Sequence, residues 1–88
     1  MRIAVTRSGG FTGITRKAEL DTDGRADAPR LEALAREVLT RGRPAPPDGV
    51  PDGFTYSITV DDRTVYAADP GLTDTERELV QEVLREGA

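Results

Sequence analysis

Between Phe54 and Val60 the chain alternates without a break. Phe54, Tyr56, Ile58 and Val60 fall on one side, and Thr55, Ser57 and Thr59 on the other. Successive side chains of a strand point to opposite faces, so this run buries one face and keeps the other polar. Asp61-Asp62 then makes a tight turn into Arg63-Thr64-Val65-Tyr66-Ala67-Ala68, the return strand of a hairpin. Neighbouring residues on a turn point apart, so Asp61 and Asp62 read as turn formers and not as a catalytic carboxylate pair. Phe54, Tyr56 and Tyr66 read as core or sheet-face fillers. Asp69-Pro70-Gly71 stops the strand. Thr73, with Glu76 three residues on, is a capping box, and Asp74 suits the positive end of a helix. Leu79, Val80, Val83 and Leu84 supply that helix with an apolar stripe, and Gly87 ends it.

The first half repeats the plan. From Arg2 to Ser8, Ile3 and Val5 alternate with Arg2, Ala4 and Thr6. From Ile14 to Asp21, Ile14, Ala18 and Leu20 share one side, with Thr15, Lys17, Glu19 and Asp21 opposite. Arg16 interrupts the apolar side, which fits a strand near a sheet edge. Gly9–Gly13 joins the two runs and is longer than a two-residue turn, so it projects as a loop. Its glycines resemble a phosphate cradle, but that motif needs a helix start directly after it, and Ile14-Thr15 opens a strand. Asp21 to Asp27 faintly imitates a calcium loop. Arg25 stands where a ligand belongs and Gly24 comes too early for the sharp turn, so the segment reads as an Asp-Gly turn.

Asp27-Ala28-Pro29 starts a helix, with Asp as cap and Pro tolerated in the first turn. Leu31, Leu34, Ala35, Val38 and Leu39 form one stripe, Glu32 and Arg36 pair across a turn, and Arg41-Gly42 closes the helix. Arg43 to Gly53 holds four of the six prolines and two glycines, and reads as an extended, stiff strap over the surface. The alternative for this segment is a second contact loop. The order is ββαββα. It specifies an α+β fold: a two-layer ββαββα sandwich with a four-stranded, mainly antiparallel sheet and two helices on one face. The other sheet face, rich in Thr, Ser and charge, is left to solvent or a partner.

Eighty-eight residues suffice for one domain, residues 1–88. The chain has no Cys and no His, so disulfide and thiolate chemistry are excluded, and the usual near-neutral base and commonest metal ligand are missing. Ser8 has no His to activate it, and Lys17 has no evident source of a lowered pKa. A domain of this size also has little room for a ligand pocket. No catalytic residue, no metal site and no cofactor are expected. Residues 1–43 carry nine basic and six acidic side chains, and residues 44–88 three and ten, for a net −4. The basic half has only one aromatic, Phe11, too few for a stacking nucleic-acid surface. No apolar run reaches membrane-spanning length, and Arg7 arrives too early for a signal peptide. The expectation is a soluble cytoplasmic protein with neither nucleic acid nor membrane as partner.

Two blocks carry a family resemblance. They are Arg2-Ile3-Ala4-Val5-Thr6-Arg7-Ser8-Gly9-Gly10-Phe11-Thr12-Gly13-Ile14 and Ala18-Glu19-Leu20-Asp21-Thr22, with support from Pro51-Asp52-Gly53-Phe54-Thr55-Tyr56 and the closing helix. The chain resembles the emfourin family, protein inhibitors of thermolysin-like (M4) metallopeptidases, notably the protealysin-like ones. The resemblance implies an intracellular inhibitor, often encoded beside its target, with an M4 metalloprotease as partner and no catalysis of its own. Such proteases hold a zinc at the bottom of a cleft and prefer a bulky apolar side chain just after the cleaved bond. Against that role, Arg7, Ser8, Gly9, Gly10, Phe11, Thr12 and Gly13 form the candidate protease-binding loop. Phe11 fills the apolar pocket, the glycines admit close backbone approach, and Arg7 and Thr12 meet polar groups at the rim. Blockade of the cleft is favoured over capture of the zinc, since without His or Cys only oxygen could reach it. The competing reading of Phe11 is core packing under a helix end. The competing function is a non-catalytic interaction module that uses the open sheet face.

Overall fold

A computed structural model describes residues 1–9, 13–45 and 53–88. The elements are β1 (Arg2–Gly9), β2 (Arg16–Asp21), α1 (Ala28–Arg41), β3 (Phe54–Val60), β4 (Arg63–Asp69) and α2 (Asp74–Glu86). The four strands form one sheet in the order β2-β1-β3-β4, with every neighbouring pair antiparallel. This is the α+β arrangement expected. The pairing of the two hairpins, open from sequence, is β1 against β3. Those two strands carry Ile3, Val5, Tyr56, Ile58 and Val60, all buried, and so take the centre. β2 buries only Ala18 and Leu20 and lies at an edge.

Directly opposed residues share a face, so the core reads as rows across the sheet. Leu20, Ile3 and Val60 make one row, and Ala18, Val5, Ile58 and Val65 the next. Both helices lie on these rows, through Leu31, Ala35 and Val38 of α1 and Leu79, Val80, Val83 and Leu84 of α2. Leu34 and Leu39 pack against the same core from half-buried positions. No helix covers the opposite face among the described residues. It presents Thr6, Ser57, Tyr66 and a Thr59–Thr64 hydroxyl pair 2.8 Å apart.

Helix ends follow local chemistry in one case and depart from it in the other. The Thr73 hydroxyl accepts from the Glu76 N–H at 3.1 Å, and the Glu76 carboxylate accepts from the Thr73 N–H at 2.9 Å. That reciprocal cap explains why a glutamate only 6% exposed is tolerated. Asp27 occupies the N-cap of α1 but makes no capping hydrogen bond. Its carboxylate accepts instead from Arg25, at 2.8 and 3.1 Å. That hydrogen bond and the guanidinium charge hold the Asp27 carboxyl below its ordinary value, against the pull of desolvation. Glu32 and Arg36 do approach, at 3.7 Å. The helices are joined by Arg30, which reaches Glu78 at 3.1 Å and Glu82 at 3.0 Å.

Both sheet edges are partly covered by backbone. Arg43 exchanges hydrogen bonds with Tyr66 of β4, at 3.2 and 2.8 Å, and Ala88 does so with Glu19 of β2, at 3.2 and 3.1 Å. Such caps remove donors and acceptors that would otherwise template another strand. The strap from Arg43 to Gly53 begins with the first of these; its residues 46–52 lie outside those described.

Candidate functional site

Strand direction brings the ends of β1 and β4 and the starts of β2 and β3 to one end of the sheet. The candidate loop leaves from there. Arg7, Ser8 and Gly9 are the last residues of β1, and Gly13 precedes β2. Gly10, Phe11 and Thr12 lie outside the described residues, so the two readings of Phe11 stand as stated. Gly9 sits opposite Phe54 with φ +92°, and a Cβ there would meet the Gly53 carbonyl oxygen at 2.8 Å. Conformation and space both demand glycine. Gly13 has φ +68° with open space around it, so conformation alone selects it. The Ser8 hydroxyl turns back to the Thr55 carbonyl at 3.5 Å, a long contact.

One expectation is corrected at this end. The alternation of Ile14 with Ala18 and Leu20 predicts a strand from Ile14 with its side chain inward. The strand begins at Arg16, and Ile14 is 67% exposed. Arg16 pairs with Arg7, and the ladder between β1 and β2 stops at that pair, so Ile14 lies outside the strand. Period-2 spacing describes which side a residue takes in a strand, not where the partner strand stops. Ile14 is the one exposed large hydrophobic residue among those described, and it directly follows the candidate loop.

Beside the loop, on the helix-covered face, the apolar rows give way. The next row is Arg16, Arg7, Tyr56 and Ala67, and beyond it lie Phe54 and Asp69. One flank of α2, with Arg77, Val80, Gln81, Leu84 and Arg85, stands over this row and encloses a cleft of about 540 Å³. The Arg7 guanidinium lies over the Phe54 ring, 4.6 Å from its centroid, a cation–π geometry. Arg7 Nε is buried with no hydrogen-bond partner among the described residues. Arg16 donates to the Leu84 carbonyl at 2.8 Å, near the negative end of α2.

Tyr56 is buried, Phe54 half-buried at the cleft, and Tyr66 half-buried on the open face, as filler roles require. The cleft itself was not anticipated. Its signal was present in part: Arg7 and Arg16 both hold core-facing positions in their strands, where an apolar residue is the rule.

The family model for emfourin matches residues 5–84, nearly the whole chain. No curated protein and no solved structure matches the chain.

Proposed function

The chain belongs to the emfourin family, and from that premise we propose that it is a non-catalytic, single-domain inhibitor of thermolysin-like (M4, protealysin-like) zinc metalloproteases. The family name points to inhibition of a protease. The observation that carries the finer reading is the loop between Gly9 and Arg16, which leaves one end of the sheet with Ile14 exposed beside it. In this reading Phe11 fills the apolar pocket that receives the residue after the cleaved bond, and Ile14 adds apolar contact at the rim. Arg7, Ser8, Gly9, Gly10, Thr12 and Gly13 shape the loop and meet the rim. The inhibitor acts in the cytoplasm; no helix of the described residues is long and apolar enough to cross a membrane.

The test is dose-dependent inhibition of a thermolysin-like protease by the purified protein, with pre-incubation time varied and the protein's integrity checked afterwards. Loss of protease activity with uncut inhibitor is expected. Phe11→Ala should then weaken inhibition by about 2–3 kcal/mol, on the order of 30- to 150-fold, with Tm unchanged. A Phe11→Ala variant that unfolds would assign the ring to the core. The second reading, an interaction module, is favoured by the uncovered sheet face with Thr6, Ser57 and Tyr66. It predicts the reverse pattern: a Tyr66→Arg variant loses the partner, while Phe11→Ala keeps it.

A further inference from the structure

The cleft beside the loop holds three cations in no ion pair among the described residues. Most arginines of this acidic chain are paired: Arg2, Arg25, Arg30, Arg36, Arg41 and Arg85 all reach a carboxylate. Five arginines are in no ion pair among the described residues; Arg43 and Arg63 are exposed elsewhere on the surface, and Arg7, Arg16 and Arg77 all line this one cleft. Arg7 and Arg16 are directly opposed across β1 and β2, on the face that α2 covers. Like charges in that position repel. Asp69, the one carboxylate of the lining among the described residues, forms no ion pair with them. Arg7 Nε is already desolvated and has no acceptor among the described residues, a state that costs free energy until one arrives. Phe54, Leu72, Val80 and Leu84 add apolar surface to the wall, beside Gln81 and Arg85.

We infer that this cleft binds a carboxylate-bearing ligand, with its oxygens between Arg7 and Arg16 and its apolar part against Phe54. Guanidinium forks match a planar carboxylate, and a pair of them relieves its own repulsion by sharing one anion. Arg77 closes the site from α2. Asp69 in the same lining favours a singly charged acid over a doubly charged phosphate. The volume suits a small organic acid or the end of a peptide chain. The carboxylate is the shared chemistry of those two sources. The inference does not depend on protease inhibition and is read on the protein alone.

The experiment titrates isotope-labelled protein by NMR at constant ionic strength. The probes are 4-phenylbutyrate, its amide 4-phenylbutyramide, acetyl-Ala-Ala-Phe with a free or an amidated C-terminus, and inorganic phosphate. Saturable movement of the Arg7, Arg16 and Phe54 signals is expected with either acid, at least about tenfold tighter than with its amide. The tighter of the two acids identifies the source. Equal response to acid and amide, no saturable response to either acid, or tighter binding of phosphate would overturn the assignment. Arg77→Gln alters an exposed side chain with no hydrogen bond among the described residues, so its fold is kept. It should weaken the acid about fivefold, and Arg16→Gln about tenfold. Unchanged affinity in both variants would also overturn the site.

Discussion

At the end of the sheet where β3 turns into β4, polar groups are matched. The Thr22 hydroxyl, fully buried, lies 2.8 Å from the Glu32 carboxylate, and the Thr22 N–H donates to the Met1 carbonyl at 2.9 Å. Arg2 and Asp61 close the corner: the Arg2 N–H donates to the Asp61 carboxylate at 3.0 Å, and the Asp61 N–H to the Arg2 carbonyl at 2.9 Å. Apolar Ile3, Leu20 and Val60 fill the row beneath. At the opposite end the same sheet and the same helix α2 line a cleft with Arg7 and Arg16, where Arg7 Nε has no hydrogen-bond partner among the described residues. Two flanks of α2 differ likewise: Glu78 and Glu82 are matched by Arg30 of α1, whereas Arg77 faces a cleft. The lesson is a division of labour within one small core. One end is built for stability, where each buried polar group has its partner. The other leaves binding capacity unspent.

That contrast can be broken by substitution. Ile3→Ala empties a fully buried site in the closed row and should cost about 3 kcal/mol, a fall of roughly 12–24 °C in Tm by thermal denaturation. Gly9→Ala attacks the loop end, where Cβ meets the Gly53 carbonyl and φ is positive. It should cost about 2 kcal/mol in urea unfolding and loosen the base of the loop. Thr22→Val removes the buried hydroxyl from Glu32 at nearly constant volume, and a loss of about 1 kcal/mol is expected in the same measurement.

The smallest effect depends on pH. Asp27 is depressed in the folded protein by its hydrogen bond to Arg25 and that residue's charge. A carboxyl depressed on folding stabilises the fold above its unfolded value and loses that contribution as pH falls through the folded one. The wild type should therefore exceed Asp27→Asn slightly in stability near neutral pH, and the gap should close as pH drops below the ordinary 3.8. A gap that persists into strong acid would assign the difference to packing and not to charge.

Much of this architecture is local and was legible. The Phe54–Val60 alternation, the Thr73–Glu76 capping box and the Leu31–Val38 stripe each concern residues within a turn or two of one another. The candidate loop was legible as a glycine-rich connection, and Gly9 and Gly13 do take positive φ. Asp27 shows the limit at short range: two local partners, the helix N–H groups and Arg25, competed, and the charged one won.

By itself the sequence determined which segments are strands and helices and which side of each is buried, because period and capping act over a few residues. Only the tertiary structure decided that β1 lies beside β3, which pairs residues more than forty positions apart without a local signal. It decided too that β2 begins only at Arg16 and leaves Ile14 exposed. The cleft is of the same kind. Arg7, Arg16 and Arg77 come from two strands and the last helix, and their meeting follows from strand register and helix docking. Charges so far apart in sequence come to act together only where the fold brings them to one cleft, in no ion pair among the described residues.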